Sequence, residues 1–307
     1  MTAIAGAAAV TAAELEQPAV VELLAGERLR SVSVESRLLL AAARMALRDA
    51  RARTEGPRED ATGDALGVVV AMRHAGLQDY VELFCEGTDA ERPRVRPAKG
   101  PQAGLTAPAA EISIRLPAAG PNATVCNGAV GGLDALRYAA DRLAAGDADA
   151  MLVCEVELAP DVLRTGPPGE RDAPPPQRAA VVVLEREQAV RARGAAPCAR
   201  LGAVATAFSP AGDSQQAQAR ATQQALAEAD VRTGARAAEA QADALPVGNA
   251  LVERDAADAN GAGAVSRLVA ALDRLAHGEA HGPQLLQAHE AGAAGAAVIQ
   301  PERERGR

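Results

Sequence analysis

Between residues 120 and 136 the chain reads GPNATVCNGAVGGLDAL, and Gly128, Gly131 and Gly132 fall within five consecutive positions. Glycines crowded where a turn opens a helix mean a backbone packed too closely for a Cβ, or one that must approach something. Beyond them Leu133, Leu136, Ala140 and Leu143 recur at helical spacing, so a helix leads out of the turn. Ahead of it, Glu111-Ile112-Ser113-Ile114-Arg115-Leu116 reads as a strand leading in. A side chain in the first turn of such a helix sits at the positive end of the helix dipole, a common place for an activated nucleophile. The residue there is Ala129, which offers no chemistry.

The flanking sequence alternates short apolar runs with helical stripes. Ala3-Ile4-Ala5-Gly6 is a candidate first strand. Residues 36–50 follow as a helix, with Ser36 as N-cap and Leu39, Leu40, Ala43 and Leu47 as its stripe. After a charged loop at 51–64, Ala65–Val70 is continuously apolar, which predicts a parallel strand buried on both faces. Residues 85–110 carry six prolines or glycines from Gly87 to Gly104 and read as irregular. Ala150–Val156 and Ala179–Leu184 are two more buried-strand runs, separated by a low-complexity loop from Thr165 to Gln177. The second half repeats the alternation. It offers a strand at Leu201–Ala207, a helix at 213–230, and an amphipathic helix at Asn260–Ala276 with Arg267 and Arg274 outward. Strands at Gln284–Gln287 and Ala296–Ile299 close it. Two such halves fit a pseudo-duplicated α/β fold, and fit a plain doubly wound sheet equally well.

Composition narrows the function classes. The 307 residues are 48% hydrophobic but include two Phe, two Tyr and no Trp, so the core must be built from Ala, Val and Leu. A net charge of −8 argues against a nucleic-acid partner, which wants a basic face. No apolar run is long enough to cross a bilayer, and Ala-rich residues 1–13 lack the basic region of a signal peptide. Four cysteines, Cys85, Cys126, Cys154 and Cys198, are scattered without a metal-type pair and suit a reducing cytoplasm. Cys154, inside an apolar run, reads as a small buried hydrophobe.

The stretches ISIRLPAAGPN (112–122), TVCNGAVGGLDAL (124–136) and DADAMLVCEVE (147–157) resemble the nucleophile elbow region of the β-ketoacyl synthases, the condensing enzymes of fatty-acid and polyketide synthesis. In that family a GPN segment enters a turn of the form TV–xx–A–C–x–S–G–LDAL, and the following helix ends at ADxMLxGGVE. The resemblance implies a thiolase-like, pseudo-duplicated layered α/β/α/β/α fold, here shortened. It implies an N-terminal half over residues 1–190 carrying the elbow, a C-terminal half over 197–300, and a charged tail at 301–307. Superposing the GLDAL segments places Ala129 at the reactive cysteine, with Cys126, Asn127, Gly128, Gly131 and Gly132 forming a degenerate elbow.

A condensing enzyme needs a thiolate to hold the acyl chain and two imidazoles to stabilise the enolate and oxyanion. In the family these histidines come from HGTGT and GHxxGAAG loops. None of His74, His277, His281 and His289 lies in such a context. The nearest remnant, Asp258–Val265, keeps the small residues without a histidine, and the other loop is missing between Val247 and Ala256. No catalytic residue, cofactor or metal is therefore expected. Cys126 has no neighbouring base and reads as an inert thiol. His281 and His289 lack a third ligand, and His277-Gly278 reads as a helix C-terminus. Glu253, Asp255 and Asp258 read as a solvated face, and Glu302–Arg305 as a charged tail.

Condensing enzymes pair as dimers, and type II polyketide systems pair an active ketosynthase with a dead subunit, the chain-length factor, whose elbow reads xQAGGLDAL. The double glycine and LDAL are present here, and Ala129 replaces the glutamine. The resemblance thus implies a non-catalytic cytoplasmic subunit with a catalytic ketosynthase as partner and acyl carrier protein as a second candidate. Two alternatives are an acyltransferase or cyclase on the same scaffold, and a scaffolding protein without acyl chemistry.

Overall fold

The computed structural model describes residues 1–29, 32–53, 65–74, 76–88, 97–158, 177–233, 251–253, 263–279, 283–290 and 293–301. In chain order the strands are β1 (Thr2–Thr11), β2 (Leu66–Met72), β3 (Asn122–Val125), β4 (Ala150–Glu157), β5 (Arg178–Arg186), β6 (Ala199–Phe208), β7 (Leu251–Glu253), β8 (Gln284–Glu290) and β9 (Ala293–Pro301). The helices are α1 (Pro18–Leu23), α2 (Val34–Ala52), α3 (Leu77–Thr88), α4 (Ala107–Arg115), α5 (Gly131–Ala145), α6 (Glu187–Ala192), α7 (Ser214–Thr233) and α8 (Ala264–Ala276).

The strands form one sheet in the order β3-β2-β4-β5-β1-β6-β9-β8-β7. Read outward from its middle, the order repeats. β1 and β6 open the two halves and pair antiparallel over only three residues, Thr2–Ile4 with Leu201–Ala199. Next come the antiparallel strands β5 and β9, then β4 and β8, then β2 and β7. β2 is parallel to both β3 and β4, as its uninterrupted apolar run predicts.

Alternation along each strand sends side chains into different cores. On β2, β4 and β5, Val68, Val70, Leu152, Cys154, Val181 and Val183 face α2 and α4. Val69, Met151, Val153, Val182 and Leu184 face the other way, onto α5 and α8. The central core also takes Leu286, Ala297 and Ile299 from β8 and β9. A third core lies under α7, where Ala221, Ala225 and Ala229 meet Ala205, Leu285 and Ala296. Helices α5 and α8 are thus sandwiched between the two half-sheets, giving the five-layer α/β/α/β/α arrangement. With so few aromatic rings, alanine lets these layers approach closely, and methyl and isopropyl groups fill what remains.

Several expectations need correction. Glu111–Leu116 is not a strand: it lies in and just past α4, which starts with Pro108 in its first turn and buries Ala109 and Ile112 while Ile114 stays 76% exposed. The cap of α2 is Ser33, whose hydroxyl accepts the Ser36 N–H at 3.2 Å, three residues before the expected cap. Of the stretch 85–110, the described residues 85–88 and 97–110 hold the end of α3, two short 3-10 turns and the start of α4. Arg267 and Arg274 are half-buried rather than outward. The low-complexity loop up to residue 176, Asp255, Asp258, His281 and the tail beyond 301 lie outside the described residues.

Candidate functional site

The elbow is built by β3, a 3-10 turn at Gly128–Val130, and α5. Cys126 and Asn127 leave the strand exposed to solvent. Gly128 then takes φ +53°, a left-handed conformation that turns the chain into the helix at no Cβ cost. Ala129 follows half-buried, and Val130, Gly131 and Gly132 are buried. The turn is closed from above, where the Asn127 amide donates to the Asp134 carboxylate at 2.5 Å. This brings all six expected elbow residues into one turn at the positive end of α5.

The chemistry of that turn is sparse. Ala129 presents a methyl group. Cys126 lies at the rim, and partial burial pushes its thiol up rather than down, away from a nucleophilic thiolate. Cys154 is fully buried with its thiol pushed up to about 12, as its apolar run implied. His277 is exposed at the end of α8, its Nδ1 2.9 Å from the Asp273 carbonyl, and Gly278 beyond it has φ +70°. His74 lines a different cleft of about 450 Å³, beside Glu35 and Asp79 between α2 and α3. The two histidines whose side chains the structure describes, His74 and His277, do not line the elbow's cleft, and among the described residues no group of three His, Cys, Asp or Glu is placed to hold a metal.

That cleft, of about 500 Å³, lies between the halves. Asn127, Gly128, Val130 and Asp134 form one wall, and Thr206, Ala207, Phe208, Ala293 and Ala294 form the other. Its polar groups are an amide–carboxylate pair and one hydroxyl, and the Phe208 ring is 63% exposed. Such a surface can hold an apolar group and a hydrogen-bond acceptor or donor. Among the described residues that line it there is no cysteine, serine, lysine or histidine.

Beneath the turn lies a residue that sequence reasoning missed. Glu155, on the central face of β4, is 5% exposed, and its Oε2 accepts the N–H groups of Val265 at 2.9 Å and Ser266 at 3.1 Å. Burial first, then the charge of Glu157, pushes its carboxyl up to about 7. A Cβ on Gly132 would sit 2.3 Å from Glu155 Oε1, and one on Gly263 would be as close to its carboxyl carbon. The signal was legible as a charge inside an apolar run, at the second glycine of the resembled GGVE motif.

The sequence matches the family described as "Beta-ketoacyl synthase, N-terminal domain" over residues 8–165, just over half of the chain. No curated protein matches it. The fold is similar to that of the ishigamide ketosynthase/chain length factor, with a TM-score of 0.73 at 22% identity. A β-ketoacyl synthase from Burkholderia phymatum STM815 gives 0.71 at 18%. The AntDE:AntF complex, a type II acyl-carrier protein with its ketosynthase bound to the hexaketide, gives 0.70 at 15%. In each comparison 98% of this chain and 99% of the other are covered.

Proposed function

Because the chain belongs to the β-ketoacyl synthase family, we propose that it is a non-catalytic cytoplasmic subunit that pairs with an active ketosynthase in a type II polyketide system. One observation carries this reading. The glycine turn and its helix are kept, while Ala129 stands where the resemblance puts the nucleophile and neither described imidazole, His74 or His277, lines the cleft. A turn retained without its reactive group serves packing and shape rather than bond formation.

The surface supports a partner. Three of the four aromatic side chains are exposed, Tyr80 at 57%, Phe84 at 60% and Phe208 at 63%. Exposed aromatic rings are enriched at protein interfaces. Two of them lie on α3, which has no buried residue and leans on the 3-10 turn at Pro101–Ala103. That turn packs on α4, and α4 on β3, which ends the sheet. Among the similar structures are a ketosynthase/chain length factor and a ketosynthase with its acyl-carrier protein, which supports a ketosynthase partner and makes carrier protein a second candidate.

A turnover assay tests the loss of catalysis. The isolated chain, given acyl and malonyl thioesters of a carrier protein, is expected to form no carbon–carbon bond. Ala129→Cys is expected to gain a reactive thiol and still no condensation, since a thiolate alone lacks the oxyanion and enolate stabilisers. Condensing turnover by the wild-type chain would overturn the non-catalytic reading, and its loss in Cys126→Ala would assign it to that thiol.

A further inference from the structure

Glu155 joins two parts of the molecule that are 110 residues apart in sequence. Its strand, β4, belongs to the first half-sheet, and the helix whose first N–H groups it accepts, α8, belongs to the second half. It also touches the first turn of α5 at Gly132, so one carboxyl meets the elbow helix, its opposite number and the sheet between them. Neither glycine leaves room for a larger residue, and Ser266, next to it, keeps a buried hydroxyl without a hydrogen-bond partner. We propose that Glu155 is a proton-operated joint between the two halves. Protonated, it holds α8 on β4 with no charge in the central core. Ionised, it sets a negative charge there beside Glu157 and loosens α8 from the elbow.

The groups facing it decide the direction. Glu157, two residues along the same face of β4, opposes ionisation of Glu155. Arg178 on β5 is committed to Glu157, with its Nε 2.9 Å from Oε2. Arg267 on α8 favours the charged form of both carboxylates, as do the Val265 and Ser266 N–H groups for Glu155 and that of Gly263 for Glu157. α5 contributes Gly132, which carries no charge. Burial and Glu157 outweigh the rest, and the carboxyl titrates near 7 instead of its ordinary 4.5. The folded chain therefore keeps a proton that the unfolded chain releases. The stability this contributes is fully present below about 4.5 and is lost as pH rises to about 7. Nothing in this inference depends on a ketosynthase partner.

Thermal midpoints of the full chain and of Glu155→Gln, measured from about pH 5 to about pH 8.5, test it. The amide keeps the shape and an acceptor for α8 but cannot ionise. The wild-type midpoint is expected to fall relative to the variant by several degrees across that range. A constant offset at every pH would overturn the proposal. Hydrogen exchange on the wild-type chain gives an answer that needs no variant to fold. Protection of the Val265 and Ser266 amides, taken relative to Leu268 in the same helix, is expected to drop at least several-fold between about pH 5 and about pH 8. An unchanged ratio would equally overturn it.

Discussion

At the scale of single residues, the elbow is held by what its glycines exclude. Gly132→Ala would place a methyl 2.3 Å from Glu155 Oε1 and 3.0 Å from Ala264 Cβ, in a core with no slack. The expected cost is about 1–3 kcal/mol of stability, the usual penalty for overpacking. Denaturant titration checks it. Because the tightest clash is with the Glu155 side chain, the double variant with Glu155→Ala should cost less than the two single changes summed. Additive losses would mean that Glu155 is not what Gly132 is packed against. The same contact explains why Glu155 escaped sequence reading. Period-two alternation marks residue 155 as facing the central core and says nothing about an acceptor for α8, whose first turn arrives from 110 residues away.

At the scale of elements, local patterns were legible wherever burial was two-sided. The Val-rich runs of β2, β4 and β5 could be nothing but inner strands, and the apolar stripes of α5 and α8 fixed their inward faces. α4 shows where the pattern is ambiguous. Ile112 and Ile114 alternate as in a strand, but Ala109, Ile112 and Leu116 also follow a helical period, and over six residues both templates fit. Pro108 in the first turn decides for the helix. α3 carries the helical period in Leu77, Tyr80, Val81 and Phe84, yet buries none of them in the single chain. Tyr80 and Phe84 stay exposed, and under the proposed function they face the partner ketosynthase. Tyr80→Asp and Phe84→Asp should therefore leave stability within about 0.5 kcal/mol while abolishing co-elution with a ketosynthase. Loss of both folding and binding would assign α3 to the chain's own core instead.

At the scale of the whole molecule, the resemblance anticipated the layered, duplicated arrangement, whereas strand-and-helix alternation alone left a plain doubly wound sheet open. What separates the two is non-local. A three-residue ladder between β1 and β6 and the burial of α5 and α8 between half-sheets leave no mark on any short window of sequence. The reading of the elbow as degenerate rests on residue identity, with Ala129 standing where the resemblance puts a thiol. Partnership is the claim on which the proposed function rests. Co-expression with a type II ketosynthase, followed by size-exclusion chromatography and mass determination of the eluted species, tests it most directly. A stable one-to-one complex is expected, with condensing activity confined to the partner's cysteine. A chain that elutes alone, as monomer or homodimer, in the presence of excess ketosynthase would contradict it.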